Sequence, residues 1–217
     1  MTTRSDTTPT ARRRASWYQR LFASMMATQQ RTWFHYYDSR KRALLSDLHG
    51  DVLEIGPGTG SNLAYYARDV RWLGLEPNPA MFPYAQQEAQ RLGMVIQLRE
   101  GRAEQVDAAD NSFSAVVSTL VLCSVPDPQR TLSEILRVLK PGGRFVFIEH
   151  VAAPRESGLR RRQRIMRPVW KIVSDGCHPD RETWVMIEKA GFSSVQIDHF
   201  RLKVPIAGPH ISGYAVK

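Results

Sequence analysis

The sequence predicts a doubly wound α/β domain, built on a seven-stranded, mostly parallel sheet with an N-terminal helical cap, and three observations carry that prediction. After Gly50, short apolar runs alternate with stretches of helical periodicity, as parallel strands and their crossover helices require. The first run passes directly into Gly56-Pro57-Gly58-Thr59-Gly60. The second ends at Glu76, twenty residues beyond Gly56. A glycine turn and an acid in those two places mark the ligand crevice of a doubly wound sheet.

Taken in order, residues 1–15 hold Thr, Ser, Pro and Arg12-Arg13-Arg14 with no apolar period, the composition of a disordered basic arm. The arm shares its Arg- and Ser-rich, acid-poor character with organelle transit peptides, but no apolar run follows that would make it a secretory signal. In residues 16–49, Trp17, Leu21 and Met25, then Phe34, Tyr37, Lys41, Leu44, Leu45 and Leu48, recur every three or four positions. That period predicts two amphipathic helices, opened by Ser16 and stopped by Gly50. They either cover a sheet edge or carry the aromatic cluster Trp33, Phe34, Tyr36 and Tyr37 over a ligand as a lid, with Tyr37 touching substrate.

Residues 50–217 make up the domain proper. Strands are expected at Val52–Ile55, Arg71–Leu75, Val95–Arg99, Ser114–Thr119, Arg144–Glu149, Val195–Phe200 and Ile211–Val216. Helices are expected at Ser61–Ala67, Pro79–Leu92, Asp127–Leu139 and Arg181–Ala190, with Gly93, Pro141-Gly142-Gly143 and Gly191 as stops. Residues 151–178 read as an insertion, the natural place for substrate specificity. Within it, Arg160–Arg167 with Trp170 is either a solvated helix face or, with Ile165 and Met166, one side of an interfacial helix.

The 217-residue chain has a formal net charge of +9, and the charge is concentrated. Residues 1–50 hold nine basic against three acidic side chains, residues 154–171 seven against one, and the remainder is net negative. This points to peripheral contact surfaces on a near-neutral core, such as an anionic membrane surface, rather than to a nucleic-acid partner. A cytoplasmic monomer is expected. The apolar stretch Phe113–Pro126 is too short, and too rich in Ser and Thr, to span a bilayer. Cys123 and Cys177 are too few for a disulfide scaffold, and without a CxxC pair or an HExxH helix no metal is expected.

The glycines at Gly56, Gly58 and Gly60 permit a tight turn and let backbone N–H groups approach a ligand at a helix N-terminus. Their spacing is neither the dinucleotide fingerprint nor a P-loop, and the plainer alternative is a tight strand-to-helix turn without a ligand. Glu76 decides for a ligand. A carboxylate there accepts hydrogen bonds from both hydroxyls of a ribose, so the ligand should contain an adenosine.

These residues resemble class I S-adenosylmethionine-dependent methyltransferases. Glu54-Ile55-Gly56-Pro57-Gly58-Thr59-Gly60 is similar to the first motif of that family, and Leu75-Glu76-Pro77-Asn78 to the second. Glu100-Gly101-Arg102-Ala103-Glu104 resembles the adenine-contacting turn, Asp110 to Val117 the approach to the fourth strand, and Leu136 to Gly143 the hallmark before the fifth. A narrower resemblance, to the methyltransferase-like seven subgroup, rests on Ser118 to Val125, Glu149-His150-Val151-Ala152, Asp175-Gly176-Cys177-His178 with Arg181-Glu182-Thr183, and Gly208-Pro209-His210-Ile211. That subgroup methylates alkyl thiols and hydrogen sulfide. Where it carries an apolar N-terminal anchor, this sequence has a basic arm and an amphipathic segment.

The resemblance implies a Rossmann-like methyltransferase fold, S-adenosylmethionine as cofactor and a small-molecule acceptor, foremost a thiol. Glu54, Gly56, Pro57, Gly58, Thr59, Gly60 and Asn62 would hold the methionyl end, Glu76 and Pro77 the ribose, and Arg102, Ala103 and Glu104 the adenine. Thr119, Leu120 and Cys123 would floor the site near the methyl. A thiol with a reference pKa of about 8.5 needs only a weak base. His150 is the candidate, the alternative being a histidine merely hydrogen-bonded in a loop; Asp175 either assists or merely turns the chain, and Trp170 and His178 join Tyr37 as substrate contacts. Cys123 and Cys177 read as buried small hydrophobes. Other acceptors within the class are a phospholipid, a quinone or another small molecule. Ser118-Thr119-Leu120-Val121 stands where a base-amino methyltransferase carries Asn/Asp-Pro-Pro-Tyr/Phe, which argues against RNA or DNA. A non-catalytic cofactor-binding module is the remaining alternative.

Overall fold

A computed structural model describes residues 15–217, with the side chains of residues 30–34 outside the description. The basic arm through Arg14 and the side chains of Trp33 and Phe34 therefore lie outside the described residues. The chain opens with helix α1 (Trp17–Trp33), a 3-10 turn at Phe34–Tyr37 and helix α2 (Asp38–Leu45). There follow β1 (Asp51–Ile55), β2 (Arg71–Glu76), α3 (Phe82–Leu92), β3 (Ile96–Glu100), β4 (Phe113–Thr119), α4 (Pro128–Val138) and β5 (Leu139–His150). Helices α5 (Gly158–Val173) and α6 (Thr183–Glu188) precede the closing strands β6 (Ser194–Arg201) and β7 (Pro209–Val216).

The seven strands lie in the order β3-β2-β1-β4-β5-β7-β6. Five run parallel, and β7 pairs antiparallel with both β5 and β6. The last strand thus wedges between its predecessor and the parallel body. Gly213 permits this close approach, since a Cβ there would stand 1.9 Å from the carbonyl oxygen of Gln196.

Alternation along the strands builds a core on each face. Leu53, Ile55, Val116, Phe145 and Phe147 point to one side, where Leu132, Ile135 and Val138 of α4 and Ile187 of α6 meet them. Val52, Ala115, Val117 and Val146 point to the other, against Leu45, Leu48, Trp72 and Ala89. Helix α4 is fixed at its start by Asp127, whose side chain accepts from the Arg130 amide at 3.0 Å. Helix α3 stops at Gly93, in the left-handed region at φ 66°.

Several expectations are corrected. The helix expected at Ser61–Ala67 is a single 3-10 turn at Leu63–Tyr65. Tyr66 leaves it in an extended conformation, and its hydroxyl and the Asn62 amide are both drawn inward to the carboxylate of Glu54, at 2.6 and 2.9 Å. The glycine turn therefore does not open a helix of any length. Pro141-Gly142-Gly143 does not separate helix from strand: Leu139 already pairs with Phe113, and the register shifts before Arg144 pairs with Ala115, so the three residues form a bulge. Helix α6 is also shorter than the expected Arg181–Ala190.

Of the two readings of the cap, cover for the sheet holds for α2. Leu45 of α2 joins the core, and Arg40 reaches Asp198 of β6 at 2.7 Å. Helix α1 instead lies over the carboxyl ends of the strands, where the Asn78 amide donates to the Gln19 carbonyl at 3.1 Å. Among the described residues no helix is long and apolar enough to cross a membrane.

Phe145 is fully buried and its ring stands 5.3 Å from that of Phe147 and 5.8 Å from that of Phe192. Phe145→Ala is expected to lower the unfolding free energy by about 3–5 kcal/mol, measured by urea denaturation. A loss below about 1 kcal/mol would show that this layer does not carry the sheet's packing.

Candidate active site

Strand order reverses at β1, whose neighbours β2 and β4 lead away in opposite directions, and a crevice opens at the carboxyl ends of these strands. The chain turns out of β1 at Gly56, whose amide donates to the Leu75 carbonyl at 2.9 Å. Gly56 has φ 58°, and a Cβ there would lie 2.6 Å from Val121, so both conformation and space demand glycine. Gly60 serves packing instead: a Cβ would stand 2.8 Å from Leu63 and 3.2 Å from the Ala85 backbone. Gly60 does not line the cavity, which corrects its assignment as a ligand contact.

Glu76 closes the turn from the opposite side. Its Oε2 accepts from the Gly58 amide at 3.0 Å and its Oε1 from the Asn78 amide at 2.9 Å. Burial pushes its carboxyl up to about 7, against the pull of those two amides. Each oxygen keeps a lone pair for a further donor.

Glu54 works one layer below. Its carboxylate is buried and accepts from Asn62 Nδ2, the Tyr66 hydroxyl and Trp72 Nε1, at 2.9, 2.6 and 3.0 Å. The Asn62 amide also donates to Thr119 Oγ1 at 2.9 Å, which ties the glycine turn to the end of β4. Buried Lys41 donates to the carbonyl and hydroxyl oxygens of Ser61, at 3.4 and 3.2 Å, and burial brings its ammonium down to about 8.

The crevice encloses about 930 Å³, a volume suited to a nucleoside-sized ligand with a small second molecule. Its walls include Glu54, Gly56, Pro57, Gly58, Thr59, Asn62, Glu76, Pro77, Arg102, Ala103, Glu104, Thr119, Leu120 and Cys123, all singled out in the sequence. Trp170, His150 and Asp175 line it as well. Asp175, at φ 45°, belongs to the turn that ends α5 and lines the cavity.

Two assignments fail. Tyr37 is buried away from the cavity, its hydroxyl 2.8 Å from His210 Nε2, and Tyr36 points to solvent. The roof is made by α1 instead, through Gln19, Phe22, Met25 and Met26, which helical periodicity alone did not distinguish from a packing face. His178 is not a wall residue either. Its Nδ1 receives the Arg181 guanidinium at 3.1 Å, and its backbone amide donates to the Cys123 carbonyl at 2.9 Å.

At the far end of the cavity, the loop after β4, the end of β5 and the turn after α5 converge. They bring Cys123, His150 and Cys177 together, with Nε2 of His150 2.6 Å from Cys177 Sγ and the donor atoms of all three within 4.8 Å of one another. Both cysteines are free thiols. The expectation of no metal rested on spacing within single elements, which does not report a cluster gathered from three segments. Two supporting residues also escaped notice. Glu149 Oε1 accepts from Ser118 Oγ at 2.5 Å and from the amides of Val121 and Leu122, both at 3.1 Å, and Arg181 donates to the carbonyls of Leu122 and Val125. Both were quoted in the sequence as parts of motifs, yet nothing local marked them as loop clamps.

Residues 53–147 match a methyltransferase-domain family. The chain is 39% identical to thiol S-methyltransferase TMT1B of Rattus norvegicus over 90% of its length and 86% of that protein. It is 36% identical to thiol S-methyltransferase TMT1A of Homo sapiens over 82% of its length and 79% of the relative. In fold it resembles a SAM-dependent methyltransferase from Aquifex aeolicus, with a TM-score of 0.61 at 16% identity, covering 91% of this chain and 97% of that one.

The residues present fit S-adenosylmethionine. Besides the Glu76 carboxylate, the carbonyl oxygen Asn62 Oδ1 is buried without a hydrogen-bond partner, in a residue that lines the cavity, and offers an acceptor to the cofactor's ammonium. By its sequence likeness over most of its length, the chain belongs to the thiol S-methyltransferase family of S-adenosylmethionine-dependent methyltransferases.

Proposed function

We propose that this enzyme methylates a small apolar thiol, delivered to the far end of the cavity, while resting on an anionic membrane surface on the cytoplasmic side. The observation that carries the thiol reading is the chemistry of that end. Two cysteine sulfurs and an imidazole stand beside the floor residues Thr119 to Cys123, a soft setting that suits sulfur better than an amine or a phenol. The names of the relatives support it.

When bound, S-adenosylmethionine supplies a methyl group on a sulfonium, so its leaving group needs no further activation. The protein's work is to bind, align and dry the site. Glu76 would take the ribose hydroxyls, Asn62 Oδ1 the ammonium, and Arg102, Ala103 and Glu104 the adenine edge. Glu54 acts through Asn62, holding the amide so that its oxygen faces inward. Helix α1 roofs the cavity and excludes water. His150 is the catalytic residue that favours the acceptor's thiolate form, and Asp175 assists from the cavity wall.

The membrane reading rests on two helices. Trp17 and Leu21 of α1 and Ile165, Val169, Ile172 and Val173 of α5 are exposed large apolar side chains. The helices are joined by the Tyr18 hydroxyl, which donates to the Ile172 carbonyl at 2.7 Å. Arg161, Arg162 and Arg164 are exposed on the same segment of α5, and each basic residue near an anionic surface contributes about 1 kcal/mol. Met25, Trp170 and Val173 also border the cavity, so an acceptor dissolved in lipid would enter there. Arg160 does not share this face: it is buried and paired with Glu182 at 3.1 Å.

Three outcomes are expected. Glu76→Ala should weaken S-adenosylmethionine binding at least about tenfold by calorimetry, roughly 1.4 kcal/mol. Because the Glu76 carboxyl titrates at about 7, wild-type affinity should fall as pH drops below 7, where the group gains a proton and loses its acceptor charge. Glu76→Gln should bind weakly with little pH dependence, and a wild-type profile flat from pH 8 to about 5.5 would remove Glu76 from the ribose. Second, with labelled cofactor and a panel of thiols, amines, phenols and lipids, label should pass to thiols; transfer to amines or phenols alone would refute the acceptor. Third, the protein should sediment with anionic vesicles at low salt and release at high salt, and Ile172→Asp should reduce binding. Indifference to both changes would remove the membrane from the account.

A further inference from the structure

We propose that Cys123, His150 and Cys177 form a binding site for a zinc-class cation at the end of the cavity, with the cavity itself as the fourth coordination position. The donor set is two thiols and an imidazole, which selects zinc-like over hard cations. Three protein ligands with a fourth place left open is the arrangement of catalytic rather than structural zinc. All three residues line the cavity, so the open place faces the bound reactants.

Geometry and burial agree with this. Tetrahedral zinc with bonds of roughly 2.0–2.3 Å separates its ligand atoms by about 3.5–3.8 Å, and the three donors lie within 4.8 Å of one another. The His150–Cys177 pair, at 2.6 Å, would open by about 1 Å to admit the ion. The three residues are at most 6% exposed, and two cysteinate charges would neutralise a divalent ion there.

The protein leaves the imidazole poorly served: Nδ1 is buried with no hydrogen-bond partner, and Nε2 meets only a thiol. The scaffold around the cluster is stiff by contrast. The His178 amide donates to the Cys123 carbonyl at 2.9 Å, the Cys177 amide to the Ser174 carbonyl at 3.1 Å, and Arg181 clamps the Leu122 and Val125 carbonyls. His150 is held in β5 by its pairing with His210 of β7. Three chain segments distant in sequence are thus fixed around one point.

Metal uptake breaks both cysteine S–H bonds, sends the two protons to solvent and gives each sulfur's electron pair to the metal. Resting on the thiol reading above, the acceptor would take the fourth place as a thiolate, shedding its own proton to solvent. Its sulfur then forms the new carbon–sulfur bond as the cofactor's carbon–sulfonium bond breaks, and that bonding pair stays with the departing thioether. His150 in this arrangement favours the thiolate through the metal.

The experiment uses the reduced full-length chain with zinc alone, titrated against a chromophoric chelator, and with cobalt as a spectroscopic probe. One zinc per chain is expected, and Cys177→Ser and Cys123→Ser should each weaken it about 100-fold with native circular dichroism retained. Cobalt should show a sulfur-to-metal charge-transfer band in the near ultraviolet, and a simple monothiol added to the cobalt protein should change it. Absence of stoichiometric uptake by the wild-type protein, uptake indifferent to both serine variants, or a cobalt spectrum without the thiolate band would overturn the site. Thiol methylation by a chain that takes up no zinc would overturn this inference and leave the proposed function standing. Stoichiometric zinc in a chain inactive on every thiol would uphold the site and sink the thiol acceptor.

Discussion

The buried carboxylate of Glu54 is the constraint on which the rest of the crevice depends. An acid in that position is expensive to bury unless its oxygens are supplied with donors, and three arrive from three places: Asn62 in the turn, Tyr66 beyond it and Trp72 on β2. Burial still raises its pKa, and Lys41 beneath the turn offsets part of that cost. Satisfying one carboxylate thereby fixes where the chain goes after β1. It also explains why the segment after Gly60 makes one tight turn instead of a helix.

The same logic recurs at the other half of the crevice. Glu149, at the end of β5, is buried and gathers Ser118 and the amides of Val121 and Leu122. Leu120 is held in the left-handed region at φ 59° where the loop bends. One buried acid organises the glycine turn and another the loop after β4. Asn62, bonded to both Glu54 and Thr119, joins the two halves.

The parallel body of the sheet supplies a general methyltransferase platform, and further elements are laid over it. Helix α1 forms the roof, and the 151–178 segment contributes Trp170, Asp175 and Cys177 to the walls. These additions carry the exposed apolar side chains and the basic stretch as well. The cavity wall and the exposed apolar and basic side chains are therefore carried by the same two helices. Fold likeness at 16% identity fixes the platform only.

The sequence alone determined the α/β class, the seven strands, the glycine turn and the acid facing it, because each is written in residues close together along the chain. Period two and period 3.6 are local signals, and so is a glycine needed at φ 58°. The tertiary structure decided what depends on side chains meeting from afar. It showed Tyr37 spent on His210 and His178 spent on Arg181, both outside the cavity, although as isolated residues they had looked like ligand contacts. It showed that Gln19, Phe22, Met25 and Met26 of α1 form the roof, and that Tyr36 and Tyr37 do not. It gathered Cys123, His150 and Cys177, separated by 27 residues at each step, into one buried cluster, because the loop after β4, the end of β5 and the turn after α5 all finish at the same edge of the sheet. Spacing along a chain reports contacts within one helix or strand; proximity between elements is set by strand order, and that order appears only when the hydrophobic faces have packed.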